Sequence, residues 1–144
     1  MNFIGQAVHN IDHKGRVFVP VKFRKLLLPE DNLTFILTRG LENYLLLFPF
    51  TIWEKYAGKM ASLPYSNKDV RDKLRLITRS AEELTIDSQG RVMLPKNLIE
   101  YGGIEKDVMF IGMLDKIELW NPKIYEEFEK TSGEFTEGFE ILGI

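Results

Sequence analysis

The decapeptide Ile11-Asp12-His13-Lys14-Gly15-Arg16-Val17-Phe18-Val19-Pro20 returns as Ile86-Asp87-Ser88-Gln89-Gly90-Arg91-Val92-Met93-Leu94-Pro95, with six of ten positions identical. At a spacing of 75 in a chain of 144 residues, this leaves room for two copies of one unit. Two are too few for a solenoid, which needs three or more stacked repeats. The likeness runs on past the decapeptide. At the same offset Phe35-Ile36 falls on Phe110-Ile111. After a three-residue deletion an offset of 72 sets Leu45, Leu47, Phe48, Ile52, Trp53, Glu54 and Tyr56 on Ile117, Leu119, Trp120, Ile124, Tyr125, Glu126 and Phe128. A unit of about 45 residues cannot bury both faces of its own sheet. Two units packed on one shared core can, and that is the expected reason for the duplication.

Each unit reads alike. Asp-x-x-Gly-Arg is a turn: the carboxylate accepts from backbone N–H groups further along, and glycine supplies a positive φ. Arg16 to Val19 then alternates as a strand, with Val17 and Val19 on one face and Arg16 and Phe18 on the other. Pro20 ends it and suits the first turn of a helix over 21–27. Thr34 to Thr38 and Tyr44 to Phe48 read as strands joined at Arg39-Gly40. Their counterparts run over 108–113 and 116–120, around Leu114-Asp115. The expected architecture is therefore α+β, with units at 5–50 and 81–125. Between them, residues 51–80 read as a helical hairpin. Thr51 to Glu54 fits a capping box, Pro64 stops the first helix, and Ser66 or Asn67 caps the second, with Val70, Leu74 and Ile77 at core spacing. Asn121-Pro122 caps a helix after the second unit. The remainder, 126–144, is an acidic tail whose glycines and charges suggest fraying past Thr131.

Composition narrows the function. No apolar run approaches the roughly 18 residues that span a bilayer, and the N-terminus lacks the pattern of a signal peptide, so a cytoplasmic protein is expected. The chain has no cysteine, hence no disulfide framework, thiolate metal site or cysteine nucleophile. His9 and His13 stand in no metal-ligand spacing, and neither a nucleophile elbow nor a Walker loop is present. Asp12 and Asp87 could be imagined as the paired carboxylates of a hydrolase, but their setting fits turn capping better. No catalytic residue, cofactor or metal is expected.

The near-neutral net charge of −2 hides an asymmetry. Residues 1–79 hold 13 Lys and Arg against 7 Asp and Glu, and residues 80–144 hold 6 against 14. One electropositive and one acidic surface follow. The basic half is concentrated: Lys14, Arg16, Lys22, Arg24 and Lys25 lie within twelve residues, where the second unit has Gln89, Arg91, Lys96, Asn97 and Ile99. Lys14 and Arg16 flank a glycine turn whose backbone can approach DNA, and arginine offers bidentate guanine geometry. Arg71, Arg75 and Arg79 form a helical stripe, which reads as a solvated or subunit-facing surface.

The residues Phe3-x-Gly5, Ile11-Asp12-His13-Lys14-Gly15-Arg16 and Val19-Pro20-x-x-Phe23-Arg24-x-x-Leu27 form one pattern with the second copy Ile86-Asp87-x-x-Gly90-Arg91-x-x-x-Pro95. This pattern closely resembles the MraZ family, bacterial transcriptional regulators built from two SpoVT-AbrB-like units, over nearly the whole chain. The resemblance implies a pseudo-twofold, swapped-hairpin AbrB-like β-barrel. It also implies a homo-oligomer, in the form of a ring, on double-stranded DNA at direct repeats upstream of its own operon, in the division and cell-wall gene cluster. A nucleoid-associated place in the cell follows. Mapped by position, the DNA-binding set is Lys14, Arg16, Lys22, Arg24 and Arg91, organised by Asp12, Gly15, Asp87 and Gly90. Gln89 stands where the first motif has Lys14. The competing expectation is a protein-interaction module, an antitoxin-like partner or ring scaffold, because the same small barrel serves such roles.

Overall fold

A computed structural model describes residues 2–144. Two sheets, all of whose pairings are antiparallel, carry the fold. The larger has six strands in the order β1-β7-β8-β4-β3-β5 and the smaller pairs β2 with β6. In chain order the strands are β1 (Gln6–Asn10), β2 (Arg16–Phe18), β3 (Thr34–Arg39), β4 (Leu45–Pro49), β5 (Glu82–Thr85), β6 (Arg91–Met93), β7 (Asp107–Met113) and β8 (Lys116–Trp120). The helices are α1 (Val21–Arg24), α2 (Phe50–Ala61), α3 (Lys68–Ser80), α4 (Lys96–Tyr101), α5 (Pro122–Glu129) and α6 (Phe135–Leu142), with a 3-10 turn at Pro29–Asp31.

The pairing shows what the repeat is for. Strand β1 of the first unit pairs with β7 of the second, and β5 of the second pairs with β3 of the first. Each unit thus lends its first strand to the other's hairpin. The remaining strand pairings between the units, β2–β6 and β4–β8, are symmetric about a pseudo-twofold axis. In β2–β6, Val17 faces Val92 and Arg16 faces Met93, while Phe18 faces Arg91. In β4–β8, Leu46 faces Glu118 between the pairs Leu45–Leu119 and Leu47–Ile117. A single apolar cluster draws on both units, with Phe3, Val17, Phe35, Leu37, Leu45 and Leu47 packed among Val92, Leu98, Val108, Phe110, Ile117 and Leu119.

The offset of 72 past the hairpins holds in the packing. Phe48 sits 5.8 and 5.4 Å from the rings of Trp53 and Tyr56, as Trp120 sits 5.1 and 5.3 Å from those of Tyr125 and Phe128. The match of Phe35-Ile36 to Phe110-Ile111 does not. Leu37 pairs with Leu47 as Phe110 pairs with Leu119, so Leu37 and Phe110 are equivalent and the offset there is 73. Two of the three extra residues lie before β3, where the Pro29–Asp31 turn and left-handed Asn32 and Leu33 intervene. The third lies in the hairpin.

Three further expectations change. Thr51 does not cap α2, because Pro49 holds the N-cap position. Buried Asp31 reaches across instead, its Oδ1 accepting from the Thr51 N–H and hydroxyl at 2.8 and 2.7 Å and its Oδ2 from the Leu28 N–H at 2.8 Å. Helix α3 begins at the Asn67 cap as the sequence indicates, but none of its residues is buried and Ile77 is exposed. It stands beside the β3–β4 face as one wall of an open groove, not in the core. The acidic tail forms a helix beyond Thr131: Glu134 and Glu137 make a capping box and Gly143, at φ +75°, ends α6. No helix among the described residues is long and apolar enough to cross a membrane.

Candidate nucleic-acid interface

The first turn is built from a single carboxylate. Asp12 Oδ1 accepts from the Lys14 and Arg16 N–H groups, both at 2.9 Å, and Oδ2 accepts from Arg16 Nε at 2.7 Å. The backbone closes around it, with Gly15 N–H donating to the Asp12 carbonyl and Asp12 N–H to that of Arg16. The second turn repeats this bond for bond. Asp87 Oδ1 takes the Gln89 and Arg91 N–H groups at 2.9 Å each, and Oδ2 takes Arg91 Nε at 2.9 Å. The N–H donors, above all that of Arg16, together with its guanidinium, outweigh partial desolvation and hold the Asp12 carboxyl down at about 2. Asp87 is lowered by the same arrangement, led by the Arg91 N–H. Both aspartates thus organise Asx-type turns.

Glycine is required at both corners. Gly15 and Gly90 sit at φ +85° and +88°, where a side chain is strained. A Cβ on Gly15 would lie 2.8 Å from the Leu94 carbonyl oxygen, whereas one on Gly90 would strike the guanidinium of Arg24. The turns are stitched to the opposite unit through the same residues. Gly15 accepts from the Leu94 N–H at 2.8 Å, and Gly90 from that of Val19 at 3.0 Å.

This bracing fixes the β2–β6 ribbon. Its inner face buries Val17 and Val92, and its outer face carries Arg16 and Phe18 beside Met93 and Arg91. Lys14 is exposed on the first turn and Gln89 on the second. Because Arg16 and Arg91 use only Nε on their aspartates, both Nη groups of each make no protein hydrogen bond among the described residues and face outward as a fork. A two-stranded ribbon of this kind fits a DNA major groove.

The other two basic residues of the set are engaged within the fold. Lys22 Nζ donates to the Gln6 carbonyl at 2.6 Å. Arg24 Nε donates to that of Val19 at 2.8 Å, with its guanidinium against Gly90. At the position equivalent to Arg24, Ile99 stands over Gly15. Sequence reasoning sets Phe18 on the face of Arg16 but misses Met93 beside them, and His9, whose ring lies 6.4 Å from that of Phe18. Strand alternation around Arg16 signals Phe18. Met93 joins it only through the cross-unit pairing.

Fold and site together define a protein of two interlocked homologous units that presents one braced, basic β-ribbon. A family model described as "MraZ protein, putative antitoxin-like" matches residues 3–76 and again 77–140. A protein named transcriptional regulator MraZ from Acetivibrio thermocellus is 40% identical over 146 residues, spanning 99% of both chains. Another of that name from Clostridium tetani is 40% identical over 126 residues, 88% of this chain and 86% of its own. A third, from Halothermothrix orenii, is 38% identical over 99% of both. The chain belongs to the MraZ family.

Proposed function

We propose that this protein is an oligomeric, sequence-specific DNA-binding transcriptional regulator that sets the outer face of its β2–β6 ribbon into the groove of double-stranded DNA. The supporting observation is the pair of outward guanidinium forks, Arg16 and Arg91, related by the pseudo-twofold and each held by its own aspartate. Arg16, with Lys14 beside it, makes the leading contact. Lys22, held on the Gln6 carbonyl, and Arg24, packed against Gly90 of the second turn, add positive potential beside the ribbon. Arg91 marks the second motif, whose neighbour Gln89 makes it the weaker half. The two sheets close as the swapped-hairpin AbrB-like barrel, with units 5–50 and 81–125 as its halves. The family resemblance supplies the target: direct repeats upstream of the protein's own operon, in the division and cell-wall gene cluster, engaged by a ring of subunits in the cytoplasm at the nucleoid. A few phosphate contacts per subunit bind weakly at physiological salt, and tethering several subunits against a row of repeats raises the avidity.

Fluorescence anisotropy on the upstream region across a salt series tests this. Arg16→Ala is expected to weaken binding about tenfold or more and to flatten the slope of log K against log salt by about 1. Wild-type affinity with an unchanged slope would remove the site.

A further inference from the structure

Two apolar surfaces of this chain are left without a partner, and they match each other. The first is the groove between the α2–α3 hairpin and the outer face of β3–β4, about 600 Å³ in volume. Phe48 of β4, Trp53 and Met60 of α2, Leu63 just beyond it, and Leu76 and Ile77 of α3 line it. Arg39, Lys59 and Arg79 reach it as well, and none of the three is in a salt bridge among the described residues.

The second is α6. Phe135, Phe139 and Leu142, at i, i+4 and i+7, share one face of this helix. All three are exposed, as are Ile141 and Ile144, and Phe135 retains 83% of its accessible surface. An eight-residue helix is marginal in water on its own, yet this one carries a capping box and a left-handed glycine stop. Local signals that define a helix whose apolar face stays exposed point to a surface it docks on. Its charges are Glu134, Glu137 and Glu140, with no Lys or Arg after Lys130, and none of the three is in a salt bridge among the described residues.

We infer that α6 of one copy docks in the α2–α3 groove of a second copy. The Phe135–Phe139–Leu142 face sits on the apolar floor, and its glutamates lie within reach of Arg39, Lys59 and Arg79. The contact joins two different surfaces, so it is heterologous. Repeated head to tail, it closes a ring or runs on as a filament, according to the rotation per subunit. This deepens the oligomeric part of the function proposed above by naming the surfaces that make the contact. It also gives the acidic end of the chain a role away from DNA. Opposite charge steers such an encounter and fixes its orientation.

Complementation between two full-length variants tests it, read as mass by light scattering without DNA. Ile77→Glu disables the groove and leaves the helix; Phe139→Glu does the reverse. Both positions are exposed, so the fold is kept, with circular dichroism as the check. Each variant alone is expected to run as a 16.7 kDa monomer. An equimolar mixture retains one working groove and one working helix per pair and is expected to give a dimer and nothing larger. Variants that keep the wild-type multimer overturn the contact and leave the oligomer standing. A wild-type monomer at micromolar concentration overturns both. Monomeric variants whose mixture stays monomeric overturn the exchange between copies.

Discussion

Gly15 and Gly90 occupy equivalent corners, but the structure makes them unequal. A methyl at residue 15 meets the Leu94 backbone, which cannot move without disturbing the bond from Leu94 N–H to the Gly15 carbonyl. A methyl at residue 90 meets a long side chain that can swing away at the loss of its bond to Val19. Both substitutions carry the left-handed backbone penalty of about 1–2 kcal/mol, and Gly15→Ala is expected to exceed Gly90→Ala. Urea unfolding of the two variants measures the difference; equal losses would contradict the packing described for Gly15. Asp12 yields a second expectation. Its carboxyl ionises at about 2 in the fold against an ordinary 3.8. With the folded value depressed, its stabilisation of the turn is complete above 3.8 and disappears as pH falls toward 2. Carbon-13 NMR titration of the Asp12 carboxyl should show a midpoint near 2, and a midpoint at or above 3.8 would contradict the bonding of the turn.

At the level of elements, α2 depends on a residue outside itself. Replacing Asp31 with alanine strips the acceptor from the Leu28 and Thr51 N–H groups and from the Thr51 hydroxyl. The expected cost is about 2 kcal/mol or more, with faster amide exchange over the first turn of α2. Unchanged exchange there would refute the cross-chain cap. This cap is also where the sequence misleads. Thr51 and Glu54 satisfy a local capping pattern, but the cap comes from twenty residues upstream, and only tertiary structure brings it. The turns, β2 and β6, the Asn67 and Asn121 caps and the stop at Pro64 were legible because each is local chemistry. The exchange of β1 and β5 was not. Their largely exposed residues, alternating in β1 and with only Leu84 buried in β5, suit any hairpin, and the choice of partner rests on the shared core. The helix at 135–142 was obscured by glycines and glutamates that read as disorder, although Glu134, Glu137 and Gly143 serve as its caps.

For the whole molecule, duplication followed by divergence separates two tasks. Both halves keep the aspartate–glycine–arginine turn that braces the ribbon, and the first half alone adds Lys14, Lys22 and Arg24. The arginine forks were legible from the motif. That they stand on one face was not, since it depends on β2 meeting β6 in a register no local pattern encodes. The central claim is that this face meets DNA, and the absence of cysteine makes a direct measurement available. Phe18→Cys places a single thiol on the outer face of the ribbon, and Lys73→Cys places one on the exposed side of α3. With duplexes of the upstream repeats carrying a disulfide tether, the thiol at 18 is expected to cross-link in proportion to binding and the thiol at 73 to remain free. Cross-linking at 73 while 18 stays free, with DNA fully bound, would contradict the account.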